Sequence, residues 1–447
     1  MSSIDAQLAT WREFVSAGGT LDRDDVDELE SHLREQIDEL EALGLRADEA
    51  FLVAVKRVGT VDALTREFAR EHSGRLWKQL VLMGDGDDAG GRGSWLDAVL
   101  FAGGAALAAH VVRLIAGFPD DESMWLGRNL AFVVLPFLVA YFAHRRGLGA
   151  RHWAVLAGGI AAVAVLINVY PYRAESATEL LVALHLPVLL WFVVGVAYLG
   201  GEVWSRERRM DFVRFTGEWF IYYVLIALGG GVLMALTMLV LSPLGPEMPD
   251  LVAEWVLPAG IPGAVVIAAW LVESKQRVIE NMAPVLTMVF TPLFAVMLAG
   301  AAIVHAVTGL AGAFDRELLA GFDALLVVVL GLVLYGMSAR DPSAPPGWMD
   351  RMQLVAVVSA LALDLMVFGT MVVRIGELGL TPNRVAALGL NLVLLVNLAG
   401  AAWWSTQFLS GRTTFHRLEQ WQTTYLPVFA GWIAFVVLAV PPLFLFG

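Results

Sequence analysis

From about residue 95 to the end of the chain, apolar residues run in long stretches separated by short polar loops, whereas the preceding ninety residues interleave charged and apolar positions. The apolar stretches occupy 95–117, 126–143, 152–170, 179–200, 217–241, 251–272, 284–310, 318–338, 352–373, 384–408 and 424–446. Each approaches the ~20 residues that carry a helix across ~30 Å of hydrocarbon at ~1.5 Å per residue. The pattern predicts an all-α, polytopic membrane protein with about eleven transmembrane helices, 95–447 forming the membrane bundle.

The front of the chain shows a different period. Between Asp24 and Leu43 the apolar positions Val26, Leu29, Leu33, Ile37 and Leu40 recur every three or four residues, which draws one stripe along a charged helix. Gly44 supplies its stop. Ile4–Val15, Ala47–Val58 and Val61–Glu71 read as further short helices, and stripes of this kind need one another's surface. Residues 1–82 are therefore expected to form a small cytosolic helical bundle. The Gly- and Asp-rich run 83–94 is expected to be a flexible linker.

Loop charge gives an orientation. Arg145, Arg146 and Arg151, then Arg206, Arg208, Arg209 and Arg214, Lys275 and Arg277, Arg340 and Arg351, and Arg412 and Arg417 fall in one set of loops. The alternate set holds only Arg173 and Arg316, with Arg128, Arg374 and Arg384 at helix ends. Positive loops stay in the cytosol, so the N-terminus is expected inside and the C-terminus outside a bacterial inner membrane. Glu202–Phe215 and Gly411–Gln422 mix arginine with aromatic residues and read as interfacial anchors.

Composition narrows the chemistry. Of a net charge of −13, most sits in the first 92 residues, which hold 20 acidic and 11 basic side chains. An acidic front segment argues against nucleic acid and for a cytosolic protein partner bound through 1–82, beside the lipid bilayer that the rest requires. The absence of cysteine excludes disulfides, thiolate metal sites and cysteine nucleophiles. No phosphate loop, zinc-protease signature or nucleophile elbow occurs, so neither enzyme activity, cofactor nor metal is expected.

The run Glu28–Phe68, with its Glu-Leu-x-x-His-Leu helix, Gly-Leu-x-x-x-Glu-Ala turn and Arg-x-Gly-x-x-x-x-Leu step, resembles the permease prefix domain that precedes membrane segments in many bacterial proteins. The resemblance implies a cytosolic appendage without catalytic chemistry. Glu377–Leu395, with Gly-Leu-Thr-x-x-Arg leading into an apolar helix, is similar to uncharacterised bacterial multi-pass membrane families known only as domains of unknown function. That similarity implies topology alone. Thr381 is suited to cap the helix that Pro382 opens.

Ionisable groups inside spans are costly and so mark candidate sites. Asp364 lies ~15 Å from the outer end of its expected span, with Asn391 ~10 Å and Asn397 ~20 Å from the same end of the next. The three bracket one depth and read either as a substrate, ion or proton site or as packing hydrogen bonds. His110, Arg113, His185, His305 and Asp323 fall ~5–11 Å from the outer boundary and could line an outward vestibule. Gly230, within Gly229–Gly231, and Pro258 and Pro262 interrupt neighbouring spans, as the broken helices of transporter sites do or as ordinary kinks. Two functions stay open: a secondary transporter or permease-like protein with its site at Asp364, Asn391 and Asn397, or a membrane sensor or regulatory scaffold whose prefix domain binds a partner.

Overall fold

The computed structural model describes residues 88–116, 124–173, 176–241, 247–274, 282–308 and 316–447, with Leu8, Glu30, Ser31, Leu33, Arg34, Ile37, Leu40, Ala50 and Ala54 ahead of them. The chain divides into two compact units, residues 1–91 and 92–447. In the first, Leu33, Ile37 and Leu40 are helical and buried, as are Leu8, Ala50 and Ala54. The Glu30–Arg34 ion pair lies along the helix one turn apart, at 2.9 Å. The remaining helix boundaries expected in residues 1–82 lie outside the described residues.

The second unit is built from helices α1 (Asp88–Ala116), α2 (Trp125–Arg145), α3 (Ala150–Val169), α4 (Ala177–Tyr198), α5 (Arg206–Leu241), α6 (Glu247–Ser274), α7 (Met282–Thr308), α8 (Arg316–Ser338), α9 (Trp348–Leu378), α10 (Pro382–Leu409), α11 (Phe415–Leu438) and the single turn α12 (Val440–Leu443). Among the described residues there is no strand, and eleven helices are long and apolar enough to cross a membrane. This is a polytopic membrane protein. Helix α1 begins at Asp88, so the second half of the stretch expected as linker is helical.

The helices form two packed groups. In the first, α2 lies against α4, α5 against α6, and Leu138, Phe142, Leu186, Val194, Phe215 and Val266 make the core. In the second, α9 lies between α7, α8 and α10 around Leu298, Leu326, Val357, Leu363, Leu394 and Leu398. Helix α11 joins the groups, packing on both α4 and α10. Half of the apolar window of α2 is buried by protein and none of that of α5. The exposed face of α5, including Leu225, Leu228, Val232 and Leu233, is therefore a lipid face.

Two glycines let α11 approach α10 closely. Gly389 and Gly400 are eleven residues apart, three helical turns, and so share one face. A Cβ on either would overlap an indole, Trp432 at Gly389 and Trp421 at Gly400.

Two expected spans begin elsewhere. Arg206–Phe215, expected as a loop anchor, is the start of the 36-residue α5, and Phe415–Gln422 is the start of α11. Both segments already carry helical periodicity, so the helix simply continues into them. The last span ends at Leu438, after which Phe446 and Gly447 turn back so that their carbonyls accept from Arg173 N and Thr178 N.

Candidate functional site

Helix α9 carries Asp364 near its middle, 16 residues after Trp348 and 14 before Leu378, or ~24 and ~21 Å from the helix ends. Asp364 shares its face with Ala360, Leu363, Val367 and Met371, all core residues, and is fully buried. Opposite, α8 places Asp323 one turn after Leu319, and α10 places Asn391 one turn after Ala387, both on faces packed against α9. Asp323 is the acidic neighbour whose charge acts on Asp364. The Asn391 amide reaches the Met371 sulfur at 3.4 Å and is hydrogen-bonded to the Asp323 carboxyl. No donor reaches either carboxyl oxygen of Asp364, Oδ1 of Asp323 or Oδ1 of Asn391 among the described residues. Four buried acceptor atoms thus meet in one place with nothing to receive.

Asn397 is not part of this cluster. Six residues separate it from Asn391, which turns it ~240° around α10 and away from α9. Its amide donates instead to Gln422 on α11 at 2.9 Å, both residues fully buried, while Trp421 Nε1 donates to the Asn397 carbonyl at 3.1 Å. Depth alone suggested a trio, but rotation about the helix decides the partner. Gln422 had gone unnoticed because it falls in what read as an interfacial loop.

The five vestibule candidates do not share one set of contacts. Asp323 belongs with Asp364. His305 packs edge-on against Phe322, ring centres 5.4 Å apart, next to Asp323 in sequence. His110 and Arg113 both lie on Trp255 of α6, at 5.3 and 5.0 Å. His185 Nδ1 is 2.8 Å from the Leu181 carbonyl of its own helix. No group of three or more His, Asp or Glu side chains among the described residues is arranged to hold a metal ion.

The Gly and Pro interruptions are not breaks. Helices α5 and α6 run continuously through Gly229–Gly231 and through Pro258 and Pro262. Lipid offers no partner to a freed amide, which favours keeping the helical ladder over unwinding it. Gly230 is exposed, with nothing within 4 Å of where a Cβ would sit, so it lines no site.

Buried polar side chains also lie on α7 and α9 between one end of the bundle and the depth of Asp364. Thr287 of α7 and Gln353 of α9 flank Gly336 near the end of α8. Gln353 donates to the Val333 carbonyl at 3.0 Å. Thr291, one turn after Thr287 on α7, is buried, as is Ser359 of α9, which lies ~140° around the helix from Asp364 and so on another face. Nothing in single-sequence reasoning marks hydroxyls of this kind, which are common in membrane helices.

That end of the bundle is where the basic residues gather. Arg146 donates to the Tyr198 carbonyl at 2.9 Å and pairs with Glu273 at 2.8 Å, while Tyr141 donates to Glu273 at 3.1 Å. Arg214 forks onto the Ser338 carbonyl, and Arg209, buried, donates to the carbonyls of Val203 and Thr423. Arg146, Tyr198, Arg208, Asp211, Arg214 and Glu218 border a cavity of about 380 Å³ between the ends of α2, α4 and α6 and the first turns of α5. Its three arginines and two acids are interspersed, so no strong field of one sign is presented to a charged ligand.

At the opposite end Arg128 pairs with Glu179 and lies 5.0 Å above the Tyr172 ring, and Ser176 caps α4 by accepting from Glu179 N at 3.1 Å. Burial pushes the phenols of Tyr170 and Tyr172 above their ordinary range. Compared with known protein families, with curated proteins and with solved structures, the chain matches none.

Proposed function

We propose that the protein is an ion-coupled secondary transporter of a bacterial inner membrane, with Asp364, Asp323 and Asn391 at its coupling site. One observation carries this: a carboxyl at mid-helix, wholly buried, beside a second carboxyl, with no donor on either of its oxygens. An acid in a membrane helix is costly, and one retained only for packing is expected to bond a donor on its neighbour. Thr287 and Thr291, one turn apart on α7, support the reading by placing buried hydroxyls on a helix packed against α9 on the Arg-rich side of Asp364. By the charge of its loops that end faces the cytosol, as do residues 1–82, whose resemblance to permease prefix domains suits a cytosolic appendage that docks a protein partner.

The lack of cysteine makes the test direct, because a single introduced thiol is unique. Ala360→Cys on one side of Asp364 and Val367→Cys on the other, both on its face of α9, are treated with a charged, membrane-impermeant thiol reagent in cells and in inside-out vesicles. A transporter that exposes its site alternately gives labelling of Ala360→Cys from the cytosolic side and of Val367→Cys from the outside. Absence of labelling at both from either side, while Ser410→Cys at the exposed α10–α11 turn reacts, overturns the reading in favour of a sealed sensor or scaffold.

A further inference from the structure

The orphaned acceptors around Asp364 specify what the site takes, on the assumption that the transporter reading holds. Two carboxyls and one amide oxygen come together, with every candidate ligand atom an oxygen and no imidazole or thiol among them. Oxygen-only sites suit hard cations. A divalent ion is a poor match, since it takes roughly six to eight oxygens or holds on to its water, and Asp364 and Asn391 are fully buried. A third acid or histidine to complete such a set is missing among the described residues.

Charge balance fixes the rest. Both carboxyls ionised, Asp364 at mid-helix and Asp323 on the α8 face packed against α9, would place two negative charges together in low dielectric. The titratable groups on the helices packed against α9 are Asp323 and Tyr335 on α8, with Arg316 and Glu317 in its first turn, His305 on α7 and Arg384 on α10. His305 lies against Phe322, and the Arg384 guanidinium is spent on the carbonyls of Leu378 and Gly379. On α9 itself Asp350, Arg351, Arg374 and Glu377 lie in its end turns. Among the described side chains no cation sits on the pair, and its neutral form carries two protons.

We propose that Asp323, Asp364 and Asn391 form a monovalent-cation site that exchanges one proton for one sodium-class ion. On entry of the cation one carboxyl O–H bond breaks, the proton leaves to water, and the cation takes its place among the carboxylate, carboxyl and amide oxygens. The net charge of the site is unchanged. The proton belongs to the coupled pair and to neither acid alone.

The full-length protein in detergent, in weakly buffered solution with a pH-sensitive dye, is titrated with sodium chloride against choline chloride. The expected result is release of about one proton per protein on adding sodium, with half-saturating sodium rising about tenfold for each unit the pH falls, because cation and proton compete for one place. Asp364→Asn abolishes the release; Asp323→Asn does the same and guards against misfolding of the first variant. Absence of release with sodium, potassium and lithium, or release that persists in both variants, overturns the inference. Should Ala360→Cys and Val367→Cys still show two-sided access in that case, transport survives and only the cation exchange falls.

Discussion

Removing Arg340 tests how the two halves of the second group of helices are clamped. Its Nε and Nη2 hold the Asp350 carboxylate at 2.8 and 3.3 Å, and its remaining donors bond the carbonyls of Asp341, Ala344 and Pro345. The guanidinium also lies over Phe408 at 4.8 Å and Phe415 at 4.5 Å, which ties the α8–α9 turn to the α10–α11 turn. Both charged side chains are only 12% exposed, so the pair escapes most of the solvent screening that makes surface ion pairs worth little. Arg340→Ala leaves the Asp350 carboxylate with the Gly347 amide as its capping partner and no counter-ion, a loss of ~3–5 kcal/mol for a buried pair broken on one side. Unfolding entropy grows with chain length, so in a bundle of this size that corresponds to a fall in Tm of ~4–7 °C by thermal unfolding of the detergent-solubilised protein. Arg340→Lys should fall between, keeping the charge while losing the planar fork and the ring stacking. Combining Arg340→Ala with Asp350→Asn should recover part of the loss, because asparagine still accepts from Gly347 N but no longer strands a charge. An Arg340→Ala protein melting within ~1 °C of wild type, or a double variant melting lower than either single one by their sum, would refute the clamp.

Glycine substitutions at two positions should have opposite outcomes. Gly400→Ala drives a methyl into Trp421 and should cost ~1–3 kcal/mol, whereas Gly230→Ala meets open space within a continuous helix and should be neutral or gain ~0.5–1 kcal/mol, both measured by thermal unfolding. Asn397→Ala should cost only ~0.6 kcal/mol, the usual size of an interhelical hydrogen bond in a membrane, and should leave sodium-linked proton release untouched; loss of that release would return Asn397 to the site. A reporter that works only in the cytosol should be active when fused after Arg412 and silent after Gly447, and activity at both would remove the proposed orientation.

The eleven spans were legible because a bilayer demands long apolar runs, and the chain has them where it has helices. What hydropathy could not give is pairing. A leucine facing lipid and a leucine facing protein look alike in sequence, so nothing distinguishes the buried α2 from the lipid-facing α5. Helix starts were misplaced where an amphipathic segment joined a span without a breaker, as at Arg206–Phe215 and Phe415–Gln422. Asp364 stood out because charge inside a span is rare. Asp323 was set in an outer layer because depth was counted along each helix separately, whereas the packing of α8 on α9 brings it to Asp364. The separation of Asn391 from Asn397 was within reach of the sequence, since six residues cannot share one helical face.

The way this chain handles its other charged groups near the bundle sharpens the meaning of the acid pair. Arg128 has Glu179 and the Tyr172 ring; Glu273 has Arg146 and Tyr141; Arg340 has Asp350 and two phenylalanines; Arg214 and Arg209 have backbone carbonyls of neighbouring helices. Each arrangement is at a helix end, and each supplies an opposite charge, a donor or an acceptor. Asp364, at mid-helix, is placed where such help is hardest to obtain and most needed, yet among the described residues the protein group that bonds the acid pair is the Asn391 amide, through Asp323, and it is itself left with an idle oxygen. Packing alone gives no reason to keep two like-charged groups together at that depth, since replacing them by apolar residues of similar volume would remove the desolvation cost. A requirement to bind and release a positive charge does give one, because the same orphaned oxygens that are unfavourable when empty become ligands when a proton or a cation arrives.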